Sequence, residues 1–338
     1  MFLYLISEFD LVEPILASPG PIERRGTVND AADLVQQVPL WLRFDFTSAS
    51  WIIAALSAVL CALYLAGTFR LWSQRRFWNP ARVLSFVLGC VIAFLVATLG
   101  VNAAAPHSLT ALMFQQITLM TMVPPLLLTG APGVLLLRSM PHGRFGSFIL
   151  RVGIGGLRSK WTSSLLHPAV PIVIAFLAFP ALYLSDAVST FVSTRAGMDA
   201  LLAMFLFGGI LAAVPLWSVD PLPRVQSFPS RFIDIAIELQ IHAVLGLTFL
   251  RIGRPIFDQY AVATNGIDPV YDQAVAGALL WTYAEMPLFL VLIICLARWF
   301  AQEQKSHKIK QSSEDAAMDS YNEYLLSLND HDRLHKQH

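Results

Sequence analysis

The sequence predicts an all-α membrane protein, a bundle of about seven transmembrane helices. Three observations carry this. Of the 338 residues 56% are apolar and 14% are charged, against about a quarter charged in soluble domains. The mean hydropathy is +0.59. The apolar residues gather into runs of about 20, the length that crosses a hydrocarbon core of about 30 Å.

The runs fall at 50–70, 82–102, 108–129, 168–186, 198–217, 231–251 and 272–298. Each is uninterrupted by charge or carries only isolated ionisable residues. The fourth is punctuated by Pro168, Pro171 and Pro180, which membrane helices tolerate when neighbouring groups satisfy the freed carbonyls. The stretch 131–140 is too short to cross and reads as an interfacial or re-entrant segment. Three divisions follow: an extracytoplasmic N-terminal segment, 1–49; a transmembrane domain, 50–300; and a polar cytoplasmic tail, 301–338. Residues 1–17 read as a short interfacial helix rather than a secretory signal, because Glu8, Asp10 and Glu13 interrupt the run and no basic residue precedes it. Residues 18–40 read as loop. From about 303 the tail reads as loosely ordered, with a short amphipathic helix at 316–328.

Loop charge sets the expected orientation. Seventeen Lys and Arg residues fall on one side of the seven spans and six on the other. The positive-inside rule then puts the N-terminus outside and the C-terminus in the cytoplasm. The 23 basic and 23 acidic residues cancel, so no net field points to nucleic acid. Cys61, Cys90 and Cys295 lie in apolar runs without metal spacing and read as packing residues. No Walker loop, HExxH or nucleophile elbow is present, and an enzyme is not expected. The glycines of 153–158 lack a preceding strand and read as a turn.

Ionisable groups inside spans are costly and are candidate functional residues. In the sixth span Asp234, Glu238 and His242 recur every four residues, one stripe of a helix. The seventh carries Glu285, with Asp272 and Gln273 at its outer end. At 1.5 Å per residue Glu238 and Glu285 both lie roughly 20 Å below the outer surface, close enough in depth to face each other. They equally read as neutral or hydrogen-bonded groups at helix contacts. In the third span Met113, Gln116 and Met120 share a face. Met113 and Gln116, with Met204 of the fifth span and His242, occupy the outer half of the bundle at similar depth, and thioether with imidazole suits Cu(I). Methionine is also an ordinary filler of irregular cores, and a lone His on an apolar helix is an ordinary packing residue. His107 stands at the outer mouth of the third span, a surface position past which copper would enter. A bis-histidine haem needs two facing histidines, and His242 alone lies deep.

Five blocks, LMFQQITLMTMVPPLLLTGAP (112–132), LLHPAVP (165–171), VPLWSVDPLPR (214–224), IHAVLGLTF (241–249) and DQAVAGALLWTYAEMP (272–287), resemble in order the bacterial CtaG-type cytochrome c oxidase assembly factor family. The resemblance covers about 50–300. It implies a seven-helix membrane protein of the bacterial plasma membrane, concerned with maturing haem–copper oxidases through copper handling or scaffolding. Its expected partners are membrane lipid, oxidase subunits and copper chaperones. The family's His-Met-x-x-His pattern falls on Leu112, Met113 and Gln116, and its fifth-helix histidine pair falls on about Leu202 and Met204. The sixth-helix histidine is kept as His242, together with Asp272, Gln273, Trp281 and Glu285. The implied copper site is therefore His242, Met113 and Met204, helped by Gln116. With four family histidines replaced, the chain reads either as a Met-richer copper protein or as a scaffold that has kept the fold and lost the metal. The alternative from another class is a proton-coupled transporter using Asp234, Glu238 and Glu285 as a relay.

Overall fold

The computed structural model describes residues 43–140, 159, 164–167, 169–185, 187–217, 227–262 and 267–335. The interfacial helix expected at 1–17, the loop at 18–40 and the turn at 153–158 lie outside these residues.

Apolar runs become helices because a backbone in hydrocarbon must satisfy its own N–H and C=O groups. Helix α1, Trp51–Ser73, is followed by α2, Pro80–Thr98. The start of α2 is set by Asn79, whose side chain accepts from the Ala81 amide, and by Pro80 in the first turn. A short helix, α3, Val101–Ala104, leads to the third span. That span is α4, Leu109–Ile117, a π turn, Thr118–Met122, and α5, Val123–Thr129. Pro124 and Pro125 explain the π turn. Neither can donate an N–H, so the Met120 carbonyl loses both its i+4 and its i+5 partner, and the ladder shifts register. After Gly130 the chain turns at Ala131, a non-glycine residue with φ 52°, into α6, Pro132–Ser139.

Next come α7, Ala169–Phe176, with a π turn, Leu177–Ala181, built around Pro180, and α8, Ala187–Val192. Two long helices follow, α9, Arg195–Trp217, and α10, Phe228–Arg251. The seventh run forms α11, Pro269–Thr282, and α12, Glu285–His335. It is not one continuous helix. Pro287 cannot bond back to the Tyr283 carbonyl, and the ladder breaks one turn ahead of it. The tail also departs from expectation, since α12 continues without interruption through 303–335.

Among the described residues six helices are long and apolar enough to cross a membrane. The fourth expected span supplies only the shorter apolar helix Ala169–Ala181, about 20 Å at helical rise. No strand is present among the described residues, and the architecture is an all-α membrane bundle.

The third span is the hub. It packs against α2, α9 and α11, and Leu112, Met113, Ile117, Leu119 and Val123 along it are fully buried. Helices α10 and α11 meet through Gly246 and Gly277. A Cβ on Gly246 would lie 2.7 Å from the Gly277 carbonyl oxygen, the close backbone approach that small residues permit between membrane helices.

The two ends are tied differently. At one end Tyr64 donates to the Gly130 carbonyl (2.7 Å) and accepts from Trp78 Nε1 (3.2 Å), which fixes the turn into α6. The other end gathers the segments around residues 45, 105, 195 and 260. Tyr260 donates to the Ala105 carbonyl, and Arg195 donates to the Thr47 and Ala49 carbonyls. Asn102 donates to the Ser48 carbonyl.

Candidate functional site

The stripe on α10 turns inward. Asp234, Glu238 and His242 are all buried. Their spacing of four advances about 400° at 100° per residue, so the three stay on one face. Glu238 and His242 line a cavity of about 40 Å³, larger than the 10–15 Å³ one water needs. Met120, Thr121 and Pro125 of the third span close one side of it. Gly209 and Trp217 of α9, and Pro287 and Leu288 of α12, close the others.

The cavity exists because two irregular backbones meet there. The π turn presents Met120 to α9 at Gly209, and any side chain at 209 would overlap the Met120 backbone. Pro287, just after the α11–α12 break, also lines the cavity. His242 meets Phe179 edge-on, with centroids 4.9 Å apart. Neither His242 ring nitrogen has a hydrogen-bond partner among the described residues, and neither has Glu238 Oε1. A buried polar atom left without a partner costs about 1–3 kcal/mol, so a walled cavity beside three such atoms calls for an occupant that can bond them.

Met113 and Gln116 are fully buried on the same span as Met120. They do not line the cavity. Gln116 Oε1 accepts a hydrogen bond from Tyr183, while its Nε2 is unpartnered among the described residues. Met204 is 40% exposed on the outer surface of α9, apart from this buried set. Glu285 is half-buried at the start of α12 and is also absent from the cavity wall, so Glu238 and Glu285 do not meet there. From the third span Met120 rather than Met113 lines the cavity, and from α9 Gly209 and Trp217 rather than Met204. Pro124 and Pro125 carried the signal, since a proline pair must disturb the ladder one turn before it. Among the described residues no three His, Cys, Asp or Glu side chains are grouped for a metal.

Asp272 and Gln273 hold the end of the bundle where the 252–262 segment lies. The Asp272 carboxylate accepts from Ser108 Oγ (2.8 Å), the Leu109 amide (2.6 Å) and the Thr110 amide (3.3 Å), capping α4 from a neighbouring helix. Gln273 Oε1 accepts from the Ile256 amide (2.8 Å), and its Nε2 lies 3.2–3.4 Å from the Phe249, Ile252 and Arg254 carbonyls. His107 is exposed in a cleft of about 660 Å³ that Asp45, Tyr260 and Asp272 also line. Hydrogen bonds from the Thr47 and Ser48 side chains hold the Asp45 carboxyl below the usual carboxylate range. Burial, and then the charge of Asp272, push the Tyr260 phenol up.

The apolar helical bundle, with six helices long and apolar enough to cross a membrane among the described residues, is that of a membrane protein, and Glu238 and His242 line a small cavity beside its proline-broken third span. Residues 62–302 match the sequence profile of the cytochrome c oxidase caa3 assembly factor family, and the chain belongs to that family. Curated relatives include an uncharacterised protein of Mycobacterium bovis and one of Mycobacterium tuberculosis, each 25% identical over 313 residues. Another, from Mycobacterium leprae, is 24% identical over 323 residues. Each alignment covers 90% of this chain and 46% of the relative, so the chain spans about half the length of the curated relatives it matches. No solved structure gives a significant match. None of these findings supports the transporter alternative.

Proposed function

We propose that this protein acts in the plasma membrane of a bacterium as an assembly factor for cytochrome c oxidase, and that it handles copper as cargo at the His242 cavity. It performs no catalytic reaction of its own. Its N-terminus lies outside and its C-terminus in the cytoplasm, and its partners are oxidase subunits or the chaperones that supply copper.

The observation that carries this reading is the imidazole of His242, buried against the cavity with both nitrogens free of protein partners among the described residues. The donor chemistry suits a soft cation. His242 and Glu238 of α10 and Met120 of the third span line the same small cavity, and imidazole nitrogen with thioether sulfur favours Cu(I) over hard ions. The set is small, which fits a transient carrier better than a permanent centre. Met113 and Gln116 are buried on the same span as Met120 but do not line the cavity, and Met204 is left outside the set by its exposure. His107 and its cleft supply the approach from the outer face.

The test is the copper content of the detergent-solubilised protein under reducing conditions, for the wild type, His242→Ala and Met120→Leu. About one Cu(I) per chain in the wild type, lost in His242→Ala and weakened in Met120→Leu, is the expected result. Copper retained by a folded His242→Ala variant, or absent from all three, would refute the cavity as the carrier and leave a scaffold.

A further inference from the structure

Helix α10 has a second stripe, on the face away from the cavity. Gln240 follows Glu238 by two residues, about 200° around the helix, and it is exposed where Glu238 is buried. It stands at the middle of Phe228–Arg251, about 18 Å from either end. No hydrogen bond to its amide is found among the described residues. Other polar side chains on outer faces, such as Thr248 and Thr282, return their hydroxyls to their own helix, at the Val244 and Ala278 carbonyls. Gln240 therefore places both a donor and an acceptor in hydrocarbon at mid-depth, where an acyl chain offers neither.

The amide is not on a convex ridge. It lines a groove of about 610 Å³ between α10 and the fourth segment, with Phe176, Pro180, Ile237 and Val244 along its walls. Phe176 is 54% and Val244 57% exposed. Pro180 lies inside a π turn of the fourth segment, and such irregularities are where helices kink and space opens between neighbours.

We infer that this groove is an intramembrane docking surface for a transmembrane helix of the client oxidase, one that brings a hydrogen-bonding side chain to Gln240 at mid-bilayer. The inference rests on the assembly-factor reading above for the identity of the client. The complementarity is electrostatic: the amide dipole is matched only by another polar group, and interhelical hydrogen bonds of this kind hold membrane helices together. A concave wall favours an inserted helix of a different protein over a second copy of the same wall.

The experiment places the photo-crosslinker benzoylphenylalanine at position 244, in the groove, or at position 63, on the exposed face of α1. The full chain is expressed in cells that make the oxidase. Position 244 should capture an oxidase subunit and position 63 should not. Gln240→Leu, which is well tolerated by a bilayer, should lower the capture roughly threefold to tenfold, and Gln240→Asn should restore much of it. Capture of the chain by itself from position 244 would overturn the proposal in favour of a dimer. A protein-free, lipid-only adduct would overturn it in favour of lipid. Co-purification of the oxidase in either case would leave the assembly-factor reading standing. Gln240-dependent capture of one identified membrane protein other than the oxidase would keep the groove and overturn the oxidase as client.

Discussion

Gly208 and Gly209 are neighbours on α9, and alanine at each has the same intrinsic effect, a gain of up to about 1 kcal/mol in helix propensity. Their surroundings make the outcomes diverge. A Cβ at 208 would meet Ile174 Cγ2 at 3.3 Å, the end of a side chain that can yield a few tenths of an ångström. A Cβ at 209 would lie 2.6 Å from the Met120 Cα and 2.8 Å from its carbonyl carbon. Ordinary carbon contacts lie at about 3.5–4.0 Å, so two backbones must separate by roughly 1 Å. Overpacking costs about 1–3 kcal/mol, and backbone atoms put this site at the upper end. Gly208→Ala should therefore be neutral or stabilising by up to about 1 kcal/mol, and Gly209→Ala destabilising by about 2 kcal/mol after the propensity gain is subtracted. Unfolding in mixed detergent micelles, followed by circular dichroism, measures both. Gly209→Ala should also lower copper retention, because Met120 and Gly209 share the cavity wall. Equal stability of the two variants would refute the close packing of α9 on the π turn.

Two further predictions concern the end of the bundle held by Asp272. Asp272→Ala strips the Leu109 and Thr110 amides of their acceptor and should cost about 2–3 kcal/mol, with Asp272→Asn costing about half; an Ala variant as stable as wild type in the same assay would remove the capping role. Tyr260 holds its proton more tightly folded than unfolded. Its stabilising contribution is complete below about pH 10, the ordinary phenol value, and declines as pH rises from there toward the folded value. An alkaline stability series should fall more steeply for wild type than for Tyr260→Phe, and identical slopes would contradict a buried phenol.

The sequence by itself determined that this is an all-α membrane protein and where most of its helices run. Uncharged apolar runs of the right length leave the backbone no alternative in hydrocarbon, so 50–70, 198–217 and 231–251 agree closely with Trp51–Ser73, Arg195–Trp217 and Phe228–Arg251. The inward stripe of Asp234, Glu238 and His242 was legible too, because polar groups spaced by four on an apolar helix share a face. The assignment of Met204 was not. Its helix is apolar around its whole circumference, so no periodicity says which side faces the core, and only packing against the π turn turned Gly209 inward and left Met204 exposed. Depth alone matched Glu238 with Glu285, but depth is one coordinate of three, and Glu285 is absent from the cavity lining that Glu238 shares. Gln116 found Tyr183 across 67 residues of chain, a pairing with no local signature. The tail became helix against its polar composition, because the last span already supplies the nucleus that an isolated polar helix would have to form for itself. Element type and length follow from local chemistry and the solvent; which side chains meet depends on how separate helices rotate and bend against one another, and that was decided only in the folded bundle.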